Sequence, residues 1–289
     1  MFDEQAGLTG GRKAPWPTAV LRFAGGRTRK DGRPQVADPA RAGRPRTPGL
    51  PRPVFWGGAV VVVALLVVLW QWYRPTLVTV PYGAVETIVL PDGSYVILGS
   101  GSQLRYRPFA GRSVRRVVLT GEAFFMVVPA AKPFVVETFN ARVTSGAARF
   151  NVRAWPEDLA PETAVAVERG RVDVAARRAE GAVALDPGQV TRVPKGQAPG
   201  APGVPREERP LIWREGGLSF ADQPLADVLH SLERRYAAEL KVAPEVAERP
   251  VTYVNPFPAS LEDVLSDLCF ALGLHYRRLP AGGFEITPP

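Results

Sequence analysis

The chain is poor in the residues from which metal centres and disulfide frameworks are built. It has one cysteine, Cys269, and two histidines, His230 and His275, in 289 residues. One cysteine cannot form an internal disulfide, so hydrophobic cores must hold the folded parts together even in an oxidising compartment. Neither histidine has a Cys or His neighbour at metal-ligand spacing. We therefore expect no metal site and no cofactor.

A recognisable catalytic constellation is also missing. Asp92 and Glu122 are the acidic residues of the central region that most invite a catalytic interpretation. Nothing in the sequence pairs them with a second carboxylate, an oriented base or a metal. Because no nucleophile, base and orienting group can be assembled, the sequence favours a protein that is not an enzyme and has no small-molecule substrate.

One long apolar run dominates what is present. Residues 54–73, VFWGGAVVVVALLVVLWQWY, contain no charged side chain. A helix of this length rises roughly 30 Å, the thickness of a bilayer's hydrocarbon core. Tryptophans lie at both ends of the run, and Arg52 and Arg74 flank it, as interfacial residues do. A cleaved signal peptide and a buried core helix both fit less well, so we predict a single transmembrane helix over residues 54–73.

Positive charge is concentrated before this run. Residues 1–53 carry eleven Lys/Arg and four Asp/Glu, a net charge of +7, whereas residues 54–289 carry twenty-five and twenty-four, a net charge of +1. The positive-inside rule places the N-terminus in the cytoplasm and the chain from Arg74 onward in the periplasm, so a bacterial inner membrane is the expected location. Because the tail has no basic helix, nucleic acid is not an expected partner.

Residues 1–53 are predicted to be a disordered tail, since Pro and Gly recur too often for a long helix. Its one apolar island contains Trp16, Val20, Leu21 and Phe23. The island could fold as a short turn against a partner, and the alternative is an unstructured tail that only sets membrane topology.

Residues 76–193 alternate short apolar runs with turn residues, roughly every 8 to 12 residues, which predicts a mainly β domain, a sandwich or solenoid-like arrangement. The clearest turn is Pro91-Asp92-Gly93-Ser94, where proline presets φ, aspartate caps its own backbone and glycine accepts a positive φ. Gly121-Glu122 separates two predicted strands, 116–120 and 123–128, as a bulge or tight bend would. Pro187-Gly188 is a further predicted turn.

Seven short motifs follow one another in this region: LPDGS (90–94), SQLRY (102–106), RRVVLTGEAFF (115–125), KPFVVET (132–138), RFNVRA (149–154), ERGRVDV (168–174) and LDPGQ (185–189). Their order resembles that of the FecR family over about residues 78–193. The resemblance implies an inner-membrane signal transducer and anti-sigma factor, with an ECF sigma factor as the cytoplasmic partner. The motif residues at 91–94, 121–122 and 187–188 are interpreted as scaffold.

One position departs from the family pattern. Some family members cleave themselves at a Gly-Thr pair, where the acyl group shifts onto the threonine hydroxyl, and the matching positions here look like Gly146-Ala147. Alanine offers no oxygen for this attack, and Ser145 lies on the wrong side of the bond. We therefore expect no self-processing by this route at this position.

A second domain is predicted over residues 211–289, after a Pro/Gly-rich linker at 194–210. Its pattern is β-α-β-β-α-β(β), a small two-layer α/β unit. Asp222 is expected to cap the first helix, and Ser260 with Asp263 to open the second as a capping box. Cys269 lies beside the inward leucines of that helix and is interpreted as a small core hydrophobe.

This α/β unit is similar to the C-terminal domain of FecR-family proteins and to the STN domain of secretins and TonB-dependent receptors, over about residues 213–287. The resemblance implies contact with the signalling domain of a TonB-dependent receptor. The sequence as a whole predicts a transducer between such a receptor and an ECF sigma factor. The alternative is a membrane-anchored periplasmic protein-binding or scaffold module without a sigma partner, because sigma-binding family members usually carry several amphipathic helices in the cytoplasm.

Overall fold

A computed structural model describes residues 60–68, 70, 74–107, 115–205, 209–280 and 282–289. Helix α1 (residues 60–68) lies within the predicted membrane-spanning run, and its valines and leucines are all more than half exposed. Across the described ranges, no helix is both long enough and apolar enough to cross a membrane. The remainder of the predicted span and the whole predicted tail, with Trp16, Val20, Leu21 and Phe23, lie outside the described residues.

Twelve strands form one sheet that is nearly closed and has two halves. In order across the first half these are β1 (Thr76–Thr79), β4 (Gln103–Tyr106), β5 (Arg115–Val127), β6 (Phe134–Glu137), β7 (Ala141–Ser145), β10 (Val172–Ala176) and β11 (Ala182–Leu185). The second half has β2 (Glu86–Val89), β3 (Tyr95–Leu98), β5 again, β8 (Ala148–Ala154), β9 (Glu162–Arg169) and β12 (Val190–Pro194). Neighbouring strands are antiparallel except β5 and β6, which are parallel.

The two halves share one hydrophobic core, to which both contribute inward side chains. The Phe125 ring stacks on Phe150 of its own half, with centroids 5.2 Å apart, and meets Phe134 of the other half at 5.9 Å. The prediction of a mainly β domain is therefore confirmed. The two halves of this nearly closed sheet enclose one core.

Strand β5 corrects the predicted break at Gly121-Glu122, because the two expected strands form one strand of 13 residues. Before Gly121 this strand pairs with β4 and β6, and from Gly121 onward it pairs with β3 and β8. Gly121 has a φ of 115°, and a Cβ there would lie 2.5 Å from Ser102 Oγ. Glycine thus allows a single strand to cross from one half of the sheet to the other.

The second folded part has its own core, and its element order agrees with the predicted β-α-β-β-α-β(β) pattern. The elements are β13 (Leu218–Pro224), α2 (Leu225–Tyr236), β14 (Leu240–Val242), β15 (Pro250–Asn255), α3 (Leu261–Leu272), β16 (His275–Arg278) and β17 (Phe284–Thr287). Strands β13 and β15 pair with each other, and a second sheet has the order β14-β17-β16. A 3-10 helix, Ile212–Glu215, precedes β13.

The two predicted helix caps have different outcomes. Ser260 caps α3, since its Oγ accepts a hydrogen bond from the Asp263 amide at 3.2 Å. The expectation for Asp222 was wrong: it lies in β13 with a φ of 51°, beside an irregularity in the pairing with β15. The strand continues to Pro224, so α2 begins without a side-chain cap.

Part of the predicted linker lies along β12 and covers the edge of that strand. Val190 and Gly203 exchange two backbone hydrogen bonds of 2.8 and 2.9 Å. The Gly200 amide donates to the Arg192 carbonyl at 2.9 Å, and Thr191 Oγ1 donates to the Gly200 carbonyl at 2.6 Å. A covered edge is unavailable for pairing with another chain.

Candidate functional site at the contact between the two domains

Helix α2 has two faces with different uses. Its apolar residues Leu225, Val228, Leu229 and Leu232 are buried in the core of the C-terminal domain, as the periodicity predicted. Asp227, Ser231 and Arg234 follow one another at helical spacing on another face. That face meets the loop between β8 and β9, residues 155–161, so the helix joins the two domains.

Asp227 binds the main chain of this loop. Its Oδ1 accepts a hydrogen bond from the Leu159 amide at 2.5 Å, and its Oδ2 accepts one from the Ala160 amide at 3.0 Å. The residue is only 3% exposed. Hydrogen bonds to an ionised acceptor are shorter and stronger than neutral ones, and buried amides without an acceptor are costly. Asp227 therefore makes one of the main contacts between the domains.

A buried ion network lies beside this contact. Asp158 Oδ2 accepts from Arg153 Nη2 at 2.9 Å, and its Oδ1 accepts from Arg234 Nη2 at 3.4 Å. Both guanidinium groups also donate to Ser231 Oγ at 3.2 Å. The network joins a β8 residue, a loop residue and two α2 residues, so it can form only when the two domains are in contact.

Burial governs the protonation energetics of this network. Burial raises the pKa of the Asp158 carboxyl above its ordinary value, although Arg153 and Arg234 act in the opposite direction. Burial likewise lowers the pKa of the Arg234 guanidinium, which Asp158 partly offsets. Because desolvation outweighs the attraction, we assign the network a role in fixing the geometry of the contact rather than in supplying large net stability.

Arg234 makes the broadest contact of the interface. Its guanidinium lies 3.8 Å from the centroid of the Trp155 ring and 3.4 Å from Glu157. Its carbonyl accepts a hydrogen bond from the Gly83 amide at 2.8 Å, in the connection between β1 and β2. One residue of α2 thus contacts both the β8–β9 loop and the start of the β domain.

A second contact starts from the family-motif residue Glu122. Its Oε1 accepts from Asn151 Nδ2 at 2.9 Å, and Asn151 Oδ1 accepts from Trp213 Nε1 at 3.1 Å. The neighbouring Arg214 lies 3.9 Å from the Phe124 ring centroid. This polar relay connects the crossing point in β5 to the 3-10 helix that leads into the C-terminal domain.

A cleft of about 110 Å³ lies between these contacts. Arg153 and Arg234 on its wall are engaged with Asp158, and Arg192 forms an ion pair with Glu162. The Trp155 ring is in contact with Arg234. Since these polar and aromatic groups already have partners in the protein, we interpret the cleft as the seam of an interdomain contact.

Three carboxylate and imidazole side chains come close enough to suggest a metal site. Ligand atoms of Asp158, Asp227 and His230 lie within 4.8 Å of one another. Both oxygens of each carboxylate already accept hydrogen bonds, and two guanidinium groups stand beside them. A cation would have to displace these donors and approach the two positive charges, so the cluster fits an ion network better than a metal centre.

The side chains of Asp92 in the PDGS turn and of Arg115 in β5 hold the turn in place. Asp92 Oδ2 accepts from Arg115 Nη1 at 2.6 Å, and its Oδ1 accepts from the Ser94 amide at 3.0 Å. Arg115, which is 3% exposed, also donates to the carbonyls of Lys132 and Val128. Asp92 and Arg115 thereby fix the turn to the ends of β5 and its neighbours.

The remaining motif positions also lie in connections. Gly188 has a φ of 82°, and its amide donates to the Val167 carbonyl at 2.8 Å, which places Pro187-Gly188 in the turn between β11 and β12. Gly146 and Ala147 are exposed and connect β7 to β8. A Cβ on Gly170 would lie 2.5 Å from the Ala147 carbonyl oxygen, so Gly170 closes tightly against this connection.

The network of Asp158, Asp227 and Arg234 was missed by the sequence analysis. Its members are far apart in the chain and belong to different domains, so no local pattern joins them. The available signal was the polar face of α2, with residues 227, 231 and 234 in phase. That face marked a surface that contacts something polar without identifying the β8–β9 loop as its partner.

Comparisons with known proteins agree with this two-part architecture. Residues 76–173 match the family described as FecR protein, and residues 217–281 match the family described as FecR, C-terminal. Two crystal structures of a proposed anti-sigma factor from Parabacteroides distasonis are similar. One has a TM-score of 0.68 and 30% identity over 75% of this chain and 100% of that chain. The other has 0.67 and 31% over 74% and 99%. None of the curated proteins compared with the chain matches it. The similar proteins are regulatory rather than enzymatic.

Proposed function

Because the chain belongs to the FecR family, we propose that it is an anti-sigma factor that carries a signal across the bacterial inner membrane to an ECF sigma factor. The observation that carries the proposal is that both family-matched parts occur in one chain and superpose on the entire solved chain of a proposed anti-sigma factor. The buried contact between the two parts supports a single folded unit that would respond to a partner as a whole.

Membrane anchoring is supported by α1 and the sequence around it. The exposed valines and leucines of residues 60–68 have no protein cover and suit an apolar solvent. Arg74 lies 3.4 Å from the centroid of the Trp70 ring, a pairing suited to the interface between lipid and water. With the charge of +7 before residue 54, the N-terminal tail would be cytoplasmic and the two folded parts periplasmic.

On the periplasmic side the proposed partner is the signalling domain of a TonB-dependent receptor, and the C-terminal domain is the part that would bind it. In the described C-terminal residues, β14 and β16 are the outer strands of the three-stranded sheet. Strand addition at such an edge is a common mode of peptide recognition. We also propose, as part of the same assignment, that this domain is similar to the STN domain.

On the cytoplasmic side the proposed determinant is the apolar island of the tail. The test uses the tagged full-length protein in detergent to capture the purified ECF sigma factors of the same cell. We expect saturable capture of one sigma factor, weakened by Trp16→Ala and by Phe23→Ala. Phe2→Ala, which removes an aromatic ring outside the island, is the matched control and should leave capture unchanged.

Two results would count against this proposal. Capture that is equally strong in all three variants would place the sigma contact outside the island. Absence of capture for every sigma factor would exclude direct sigma binding and favour a membrane-anchored module that binds only periplasmic proteins.

A further inference from the structure

We propose that the outward face of α3, centred on Phe270, is the surface to which the periplasmic partner docks, and that the partner presents apolar side chains flanked by Lys and Arg. This inference rests on the proposed function and names the surface and the chemistry of its receptor contact. It comes from the exposure and charge of one helix.

Phe270 is 91% exposed, although it lies inside a regular helix. The opposite face of the same helix is packed, with Val264, Leu265 and Leu268 no more than 3% exposed. The orientation of α3 is therefore set by its core, and the phenylalanine is held in water by a firmly packed helix. A rigid, exposed aromatic side chain is the type of residue that dominates protein interfaces when it enters a pocket.

A second exposed aromatic lies at the other end of the same helix. Phe257 is 73% exposed in the segment that leads to Ser260, the cap of α3. Phe270 is nine positions beyond Leu261, the first residue of the helix, which corresponds to roughly 14 Å along the axis. Exposed aromatic rings therefore lie just before the start of α3 and near its end.

The surface between them is acidic. Glu262, Asp263 and Asp267 are exposed on α3, and the helix has no Lys or Arg. Local contacts hold all three: Asp263 accepts from Ser260 Oγ at 2.6 Å, Asp267 from Tyr253 OH at 3.3 Å, and Glu262 from Arg278 at 3.3 Å. A second arginine, Arg249, donates to the Leu272 carbonyl at the end of α3 at 3.0 Å. With three carboxylates against two neighbouring arginines, the strip keeps a net negative charge and complements a basic partner.

The two helices of the C-terminal domain differ in whether the rest of the protein covers their outer faces. The polar face of α2 is covered by the β8–β9 loop through Asp227 and Arg234. The outward face of α3 is left exposed at both its aromatic and its acidic positions. A partner can therefore dock on α3 while the contact between the two domains stays intact.

The test measures binding of the purified full-length protein in detergent to the purified signalling domains of the TonB-dependent receptors of the same cell. One domain should bind the wild type, with affinity that falls as salt concentration rises. Phe270→Ala should weaken binding at least about tenfold, and Asp267→Lys should slow association. Tyr95→Ala, at an exposed aromatic of the β domain, is the matched control and should bind like the wild type.

The outcomes separate the surface from the proposed function. Because Phe270 is almost fully exposed, its truncation should leave the thermal unfolding curve unchanged, and a loss of binding then reports the contact. If a signalling domain binds the wild type and Phe270→Ala equally well, the α3 assignment is wrong while the receptor partner stands. If no signalling domain binds the wild type, both the receptor partner and this assignment are overturned.

Discussion

Replacing Gly121 by alanine probes the crossing point of the β domain. Gly121 has a φ of 115°, a conformation that L-residues rarely adopt. An added Cβ would lie 2.5 Å from Ser102 Oγ and 2.7 Å from Ser102 Cα, so relief by a side-chain rotation alone is impossible. Ser102 Oγ also donates to the Glu122 carbonyl at 2.9 Å and accepts from the Glu122 amide at 2.8 Å.

The expected cost has two parts. Holding a non-glycine residue in such a conformation costs about 1–3 kcal/mol. Forcing an extra carbon into a packed contact costs about 1–3 kcal/mol more. The variant should therefore lose roughly 2–6 kcal/mol of unfolding free energy. Each kcal/mol corresponds to about 2–4 °C in Tm for a folded unit of roughly 150–250 residues, which is the size of the two folded parts together.

Two other glycines in the chain allow the two costs to be measured separately. Gly93 has a φ of 83°, but no atom lies within 4 Å of the place that a Cβ would take, so Gly93→Ala should show the conformational cost alone, about 1–3 kcal/mol. Gly146 has neither a positive φ nor a close neighbour, so Gly146→Ala should change stability by no more than about 1 kcal/mol and can stabilise.

The assay is thermal and urea unfolding of the full-length protein in detergent, followed by circular dichroism. The order of stability should be Gly146→Ala, then Gly93→Ala, then Gly121→Ala, with the last clearly separated. If Gly121→Ala unfolds at the same temperature as Gly146→Ala, the account of β5 as one strand that crosses between the sheet halves is refuted.

Three further predictions concern the C-terminal domain and its contact. Asp227→Ala leaves the amides of Leu159 and Ala160 without their acceptor, so it should lower the free energy of unfolding in urea by about 2–5 kcal/mol. Asp227→Asn keeps one acceptor oxygen and should lower it less. Equal losses of unfolding free energy in the two variants would contradict this. The raised pKa of Asp158 means that this carboxyl contributes stability present below its ordinary pKa of 3.8 and lost as pH rises through the folded-state pKa. Arg234→Met removes an attraction that opposes the rise in the pKa of Asp158. The loss of unfolding free energy in this variant, relative to wild type, should therefore grow with increasing pH over that range. A loss that stays constant in urea unfolding at several pH values would contradict this. Burial raises the pKa of the Cys269 thiol, so maleimide should label it in urea but not in the native protein at neutral pH, and rapid native labelling would place the thiol at the surface.

Local signals in the sequence were sufficient for much of the fold. Ser260 and Asp263 are three residues apart, and Gly273 ends the same helix in a left-handed conformation, so both ends of α3 are set by local signals. The strands of the β domain followed from alternating apolar residues and turn residues for the same reason. The inward leucines of α2 were likewise predicted from their spacing.

Features that depend on distant parts of the chain were missed. Whether Gly121 interrupts a strand or lets it cross depends on Ser102 and on four partner strands, which local sequence does not specify. Asp222 has the composition of a helix cap, but pairing of β13 with β15 extends the strand past it. The contact of Asp227 with the Leu159 and Ala160 amides joins residues from two domains.

The most direct test of the proposed function measures transcription in cells that carry or lack this chain. RNA levels are measured for the promoters of each ECF sigma factor, and the deleted chain is then restored as wild type, as Trp16→Ala or as Phe270→Ala. The account predicts that deletion changes transcription from the promoters of one sigma factor, that the wild type reverses the change, and that both variants restore regulation incompletely. Unchanged transcription from every such promoter, in cells where the wild-type protein is produced and membrane-bound, would contradict it.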